Sequence, residues 1–188
     1  MIEPSTVVAI ADLELIALAQ QGDRQAFGEL VMRYRERVIG VVYRMCGDIQ
    51  LAEDAAQEAF VRAWQQLPRY QPRAPFQSWL YRIALNRATD VLRAERETVD
   101  VVDLPLVAPG LEPEAAVERS ALNEQVRRAV LALPEASRSV LILREYEGLS
   151  YKEIAETLDI PLGTVMSRLN YARGRLREWL GPWLEAGL

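Results

Sequence analysis

The chain has 188 residues, half of them apolar and 26% charged, with a net charge of −5, one cysteine and no histidine. This apolar content suffices for one or two ordinary domain cores and excludes collagen-like, mucin-like or wholly disordered chains. Without histidine most nucleophile–base catalysis and most transition-metal sites are excluded, and the lone Cys46 rules out an intramolecular disulfide or a cysteine-rich zinc site. The longest strong apolar run, residues 38–43, is far short of the roughly 18–20 residues of a membrane-spanning helix. Asp12 and Glu14 interrupt the only candidate signal segment, so a cytoplasmic protein with no membrane insertion is expected.

In chain order almost every segment reads as helix, so the predicted class is all-α. Asp12 is expected to cap a short helix ending at Gly22, and Asp23 to cap a longer one. In that second helix Phe27, Leu30, Val31, Tyr34, Val38, Val41 and Met45 fall at helical spacing, and Gly47 ends it. Asp48 opens a third helix that Pro68 stops; a fourth runs from about Phe76 to about Arg96. The stretch from Thr98 to about Pro113 has three prolines, a glycine and no basic residue, and reads as a linker. Beyond it come a helix ending near Pro134, a second ending at Gly148, and two helices separated by a tight turn. The expected division is a helical domain over 1–97, an acidic, Pro-containing linker over 98–118, and a helical domain over 119–188.

The charge follows this division. Residues 1–97 sum to −1, residues 98–118 carry five acids and no base, and residues 119–188 sum to +1. The acidic excess therefore sits in the linker, between two arginine-rich patches. Its carboxylates are positioned to compete with phosphate for those guanidinium groups.

Three helix faces carry chemistry. In the C-terminal half, Ser150 and Glu153 form a capping box, and Ile154, Ala155 and Leu158 meet an apolar stripe of Val165, Leu169, Ala172, Leu176 and Trp179 on the next helix. Opposite that stripe lie Ser167, Asn170 and Tyr171, flanked by Met166 and Arg173 on one side and Thr164, Arg168 and Arg175 on the other. Short polar side chains between guanidinium groups suit a helix in a major groove, although two packed helices with a solvated basic face give the same pattern. On the third helix Asp54, Gln57, Glu58 and Val61 face away from an alanine-rich side, with Val61 either an ordinary surface valine or the centre of a partner-binding face. On the fourth helix Trp79, Arg82, Asn86 and Asp90 share a stripe, preceded by a loop holding Tyr70, Arg73 and Phe76. Rings interleaved with cations suit unpaired nucleic acid, and equally a tryptophan folded back onto its own loop. No phosphate-binding loop, acid–base carboxylate pair or nucleophile–base pair appears, so neither catalysis nor a cofactor is expected.

These motifs, in this order, resemble the extracytoplasmic-function (ECF) sigma factors of bacterial RNA polymerase, within the sigma-70 family. The resemblance runs from DLELIALAQQGDRQAFGELVMRYR through AEDAAQEAFVRAW and FQSWLYRIALNRATDVLR to LPEASRSVLILREYEGLSYKEIAETLDIPLGTVMSRLNYARGRLR. It implies a sigma domain 2, a linker and a helix-turn-helix sigma domain 4. It further implies that Asp54, Gln57, Glu58 and Val61 dock on the β′ clamp helices of core polymerase. Tyr70, Arg73, Phe76, Trp79, Arg82, Asn86 and Asp90 would open the −10 promoter element and hold an unpaired base. Thr164, Met166, Ser167, Arg168, Asn170, Tyr171, Arg173 and Arg175 would read the −35 duplex. The β flap of polymerase and an anti-sigma factor are the further partners it implies. A basic residue is frequent in the family where Met166 and Tyr171 stand, which implies a different −35 sequence.

Overall fold

A computed structural model of the chain describes the backbone of residues 4–72, 74–98 and 114–186, and the side chains of 12–72, 74–94 and 122–181. The helices are α1 (Pro4–Gln20), α2 (Arg24–Cys46), α3 (Ile49–Gln66), α4 (Phe76–Thr98), α5 (Glu114–Leu131), α6 (Glu135–Glu145), α7 (Tyr151–Leu158) and α8 (Leu162–Ala186), with a 3₁₀ turn at Leu67–Arg69. Most of the expected boundaries follow from local capping. The Asp23 carboxylate accepts the backbone N–H groups of Gln25 and Ala26, and that of Asp48 accepts from Leu51. Gly47 closes α2 in the left-handed region at φ 80°. The Ser150–Glu153 capping box forms in both directions.

Asp12 departs from expectation. It lies inside α1, buried, where its carboxylate accepts from Arg33 at 2.7 Å and from the hydroxyl of Tyr34. It ties α1 to α2 rather than starting a helix. The expected linker of 98–118 falls mostly outside the described residues, and α5 already begins at Glu114.

Helices α1–α4 pack around Leu30, Val38, Val41, Met45, Leu80 and Tyr81, with the alanine side of α3 allowing close approach to α2 and α4. In the second half, Ile154 from α7 meets Val165, Leu169 and Ala172 of α8, all fully buried, with α6 beneath them. The two halves are packed on each other, α2 against α5 and α6, and α4 against α7, so their buried side chains form one continuous cluster. At this seam Arg138, 5% exposed, donates to the carbonyls of Met45, Leu131 and Leu133. Arg127 donates to the carbonyl of Gly47 at 3.1 Å. Two guanidinium groups from the second half thus satisfy two carbonyls, those of Met45 and Gly47, at the negative end of α2.

Candidate polymerase and promoter interfaces

Val61 does not stand alone on α3. It rims a groove of about 540 Å³ between α2 and α3, with Phe27, Val31, Phe60 and Trp64 on its apolar side and Asp54, Gln57 and Glu53 on its polar side. The rings of Phe27 and Trp64 meet at 5.0 Å across the two helices. Asp54 and Gln57 therefore stand where expected, and Val61 is 52% exposed. Glu58 does not join them; it turns to α4 and accepts from Arg87 at 3.0 Å.

On α4 the expected stripe divides by burial. Tyr70 and Phe76 are buried, contrary to a role as free stacking rings: their rings meet at 5.7 Å, Phe76 also touches Tyr34, and the Tyr70 hydroxyl donates to the Ala74 carbonyl. Gln20 of α1 anchors the same loop by donating to the carbonyls of Leu67 and Tyr70. Burial pushes the Tyr70 hydroxyl above its ordinary range. The reason is geometric: the loop after α3 must cover the end of the bundle, and its aromatic rings supply that cover. Trp79 folds back onto its own loop without being fully buried. It packs on Tyr70 at 4.8 Å and on Phe76 at 5.4 Å, yet stays half-buried and walls a recess of about 320 Å³ with Arg62, Arg82 and Asn86. Asp90 lies farther along α4 in an ion pair with Arg62 at 3.6 Å, and Arg73 lies outside the described residues.

On α8 the expected stripe is buried at Val165, Leu169 and Ala172 and half-buried at Leu176 and Trp179, while Ser167, Asn170 and Tyr171 are exposed with Met166. The flanking arginines are not equivalent. Arg173 is held by Glu145 of α6 at 2.7 Å and approaches the Tyr151 hydroxyl, and Arg175 pairs with Glu178 at 2.6 Å over the Trp179 ring. Arg168 makes no ion pair among the described residues, and it lies half-buried beside Thr164. The exposed Leu162 adds an apolar contact one turn before Met166.

The sigma-70 region 2 family model matches residues 30–98, and the sigma-70 region 4 model matches residues 123–176. The RNA polymerase sigma-H factor of Pseudomonas aeruginosa is 37% identical over 93% of this chain and 96% of its own. The ECF RNA polymerase sigma factor SigW of Bacillus subtilis is 36% identical over 88% of this chain and 94% of its own. The chain belongs to the ECF sigma factors. Among solved structures, CnrH in complex with the cytosolic domain of CnrY matches 95% of this chain and 99% of its own, with a TM-score of 0.68 and 28% identity.

As an ECF sigma factor the protein directs transcription initiation, and its family is one of initiation factors rather than enzymes. Among the described residues of this sigma factor no helix is long and apolar enough to cross a membrane. Sequence reasoning missed Trp64 and assigned Phe27 and Val31 to the core alone. The signal was available: Gln57, Val61 and Trp64 recur at the four- and three-residue steps that put them on one helical face.

Proposed function

We infer that this sigma factor works as a bridge with three contact faces. The α2–α3 groove receives the β′ clamp helices of core polymerase, with Phe27, Val31, Val61 and Trp64 as the apolar floor and Asp54, Gln57 and Glu53 as the polar rim. Removing such a floor from water supplies the affinity, while the acids orient a basic partner. The recess beside Trp79 receives an unpaired base of the −10 element. There the indole offers a stacking surface, the Asn86 amide offers a donor and an acceptor, and Arg62 and Arg82 offer charge to the backbone. The exposed arc of α8, with Thr164, Met166, Ser167, Arg168, Asn170 and Tyr171, reads the −35 duplex, where Met166 and Leu162 suit a thymine methyl group.

The division proposed is 1–97 for polymerase and −10 contacts, 98–118 as connector and 119–188 for the −35 element and the β flap. The chain carries out no catalysis, needs no cofactor and acts in the cytoplasm. An anti-sigma factor is the proposed restraint; CnrH is solved with a cytosolic domain of CnrY, and a Bartonella quintana sigma factor, RpoE, with the anti-sigma factor NepR.

The observation that carries this reading is the groove, because it gives the exposed Val61 an apolar setting that a random surface valine lacks. Val61→Arg should abolish co-purification with core polymerase while leaving the thermal midpoint unchanged. Retained co-purification would remove the groove from the interface.

A further inference from the structure

The surface proposed for the −10 element is already in contact with part of this chain. Across a cleft of about 500 Å³, Ser78, Trp79 and Arg82 of α4 face Glu156, Thr157 and Asp159 at the end of α7. The Arg82 guanidinium meets the Asp159 carboxylate at 3.1 Å. From the adjacent position on α4, the buried Tyr81 hydroxyl donates to the Glu147 carboxylate in the turn between α6 and α7. Two carboxylates of the second half, Glu156 and Asp159, thus share a cleft with the ring and the cation that an unpaired DNA strand would use, and a third, Glu147, holds the neighbouring Tyr81 of the same helix.

This packing is incompatible with reading both promoter elements. By their names the −10 and −35 elements lie about 25 base pairs apart, roughly 85 Å along a duplex. The α8 helix starts only three residues after Asp159. An extended chain of that length spans about 10 Å, so in this arrangement the −35 helix begins close beside the −10 face.

We propose that α7 and the turn before it, through Glu147, Glu156 and Asp159, form an intramolecular competitor that occupies the −10 surface of the free sigma factor and must leave before DNA enters. The proposal rests on the assignment of α4 to the −10 element. The seam is asymmetric, and its chemistry decides which end opens first. At the α2 end, Arg138 is buried among carbonyls, and a β-carbon on Gly47 would come within 2.6 Å of the Leu131 side chain. The α7 end is held by a solvent-exposed ion pair, of a kind that adds little stability and is screened by salt, and by the single hydrogen bond from Tyr81 to Glu147. The α7 end is therefore the one that releases. Free protein binds single-stranded DNA only in the fraction of molecules open at this end, and its apparent affinity falls by that fraction.

The test uses the full chain carrying Glu147→Gln, Glu156→Gln and Asp159→Asn together. These changes preserve shape, and asparagine tolerates the left-handed backbone that Asp159 adopts at φ 55°. A control carries Glu14→Gln, Glu29→Gln and Glu36→Gln, three exposed acids that do not line the cleft and that change the net charge equally. Fluorescence anisotropy with a mixed-sequence single strand of about ten nucleotides reads the affinity. The α7 variant should bind at least about fivefold tighter than the parent and the control, and the gap should narrow as salt rises. An equal gain in variant and control would overturn the competition and leave only a net-charge effect. The α4 assignment fails separately: with the α7 acids neutralised, Asn86→Ala would then leave the affinity unchanged, whereas it should weaken binding if that face holds the strand.

Discussion

Asn86 is the sharpest single-residue probe of the α4 face, because its amide is exposed and makes no hydrogen bond among the described residues. Asn86→Ala should slow promoter opening, read as permanganate reactivity of the −10 region, while stability changes by no more than about 0.5 kcal/mol. Unchanged reactivity would remove the amide from base recognition. Trp79 cannot separate the two roles so cleanly, since it also packs on Tyr70 and Phe76. On α8, Arg168 is the flanking cation whose charge is not spent on an intramolecular acid among the described residues, in contrast to Arg173 and Arg175. Arg168→Ala should cost about 1–3 kcal/mol of discrimination between matched and mismatched −35 templates in run-off transcription. Equal losses on both templates would assign it to phosphate. That distinction among arginines was not legible in the sequence, because Glu145 lies 28 residues before Arg173 and only the packing of α6 against α8 brings them together.

Individual helices were legible where a cap is local. Asp23, Asp48, Ser150 with Glu153, and Gly47 each act within a few residues of their own position, so sequence alone places them. Ser150→Ala should lower stability by about 1 kcal/mol, seen as a reduced thermal midpoint. Asp12 misled for the converse reason: a buried partner for Arg33 and Tyr34 has the same local signature as a cap. Helix α5 supplies a pH prediction. Hydrogen bonds from Arg127 and Arg128 lower the Glu124 carboxyl to about 2, from an ordinary 4.5. Glu153 is lowered as well, by the Ser150 hydroxyl and backbone N–H. A carboxyl depressed in the folded state contributes stability that is complete above its unfolded value and is lost as pH falls through the folded one. The thermal midpoint should therefore fall from about pH 5 toward pH 2, and Glu124→Gln should make that fall shallower. An identical pH slope in the variant would show that this cluster does not stabilise the fold.

At the scale of the whole molecule, the all-α class and the two helical units follow from periodicity, but the seam between the units does not. The stripes that bury Val130, Leu133 and Val140 in the cluster shared by both halves have the same spacing as stripes that serve a single domain. The groove beneath Val61 was half legible: its polar rim stood out on α3, while its floor needed α2 and Trp64 beside it. The seam also changes which carboxylates matter. Composition points to the acidic stretch of 98–118, whereas the second-half acid in contact with Arg82 of the proposed −10 face is Asp159, at the end of α7. The central claim is that this sigma factor gives core polymerase a promoter preference through these faces, and its most direct test is sequencing of transcript start sites made in vitro by core polymerase with and without the protein. The account predicts a new set of start sites preceded by a shared pair of elements, lost with Val61→Arg and relaxed at the upstream element with Arg168→Ala. No new start sites in the presence of the protein would contradict it.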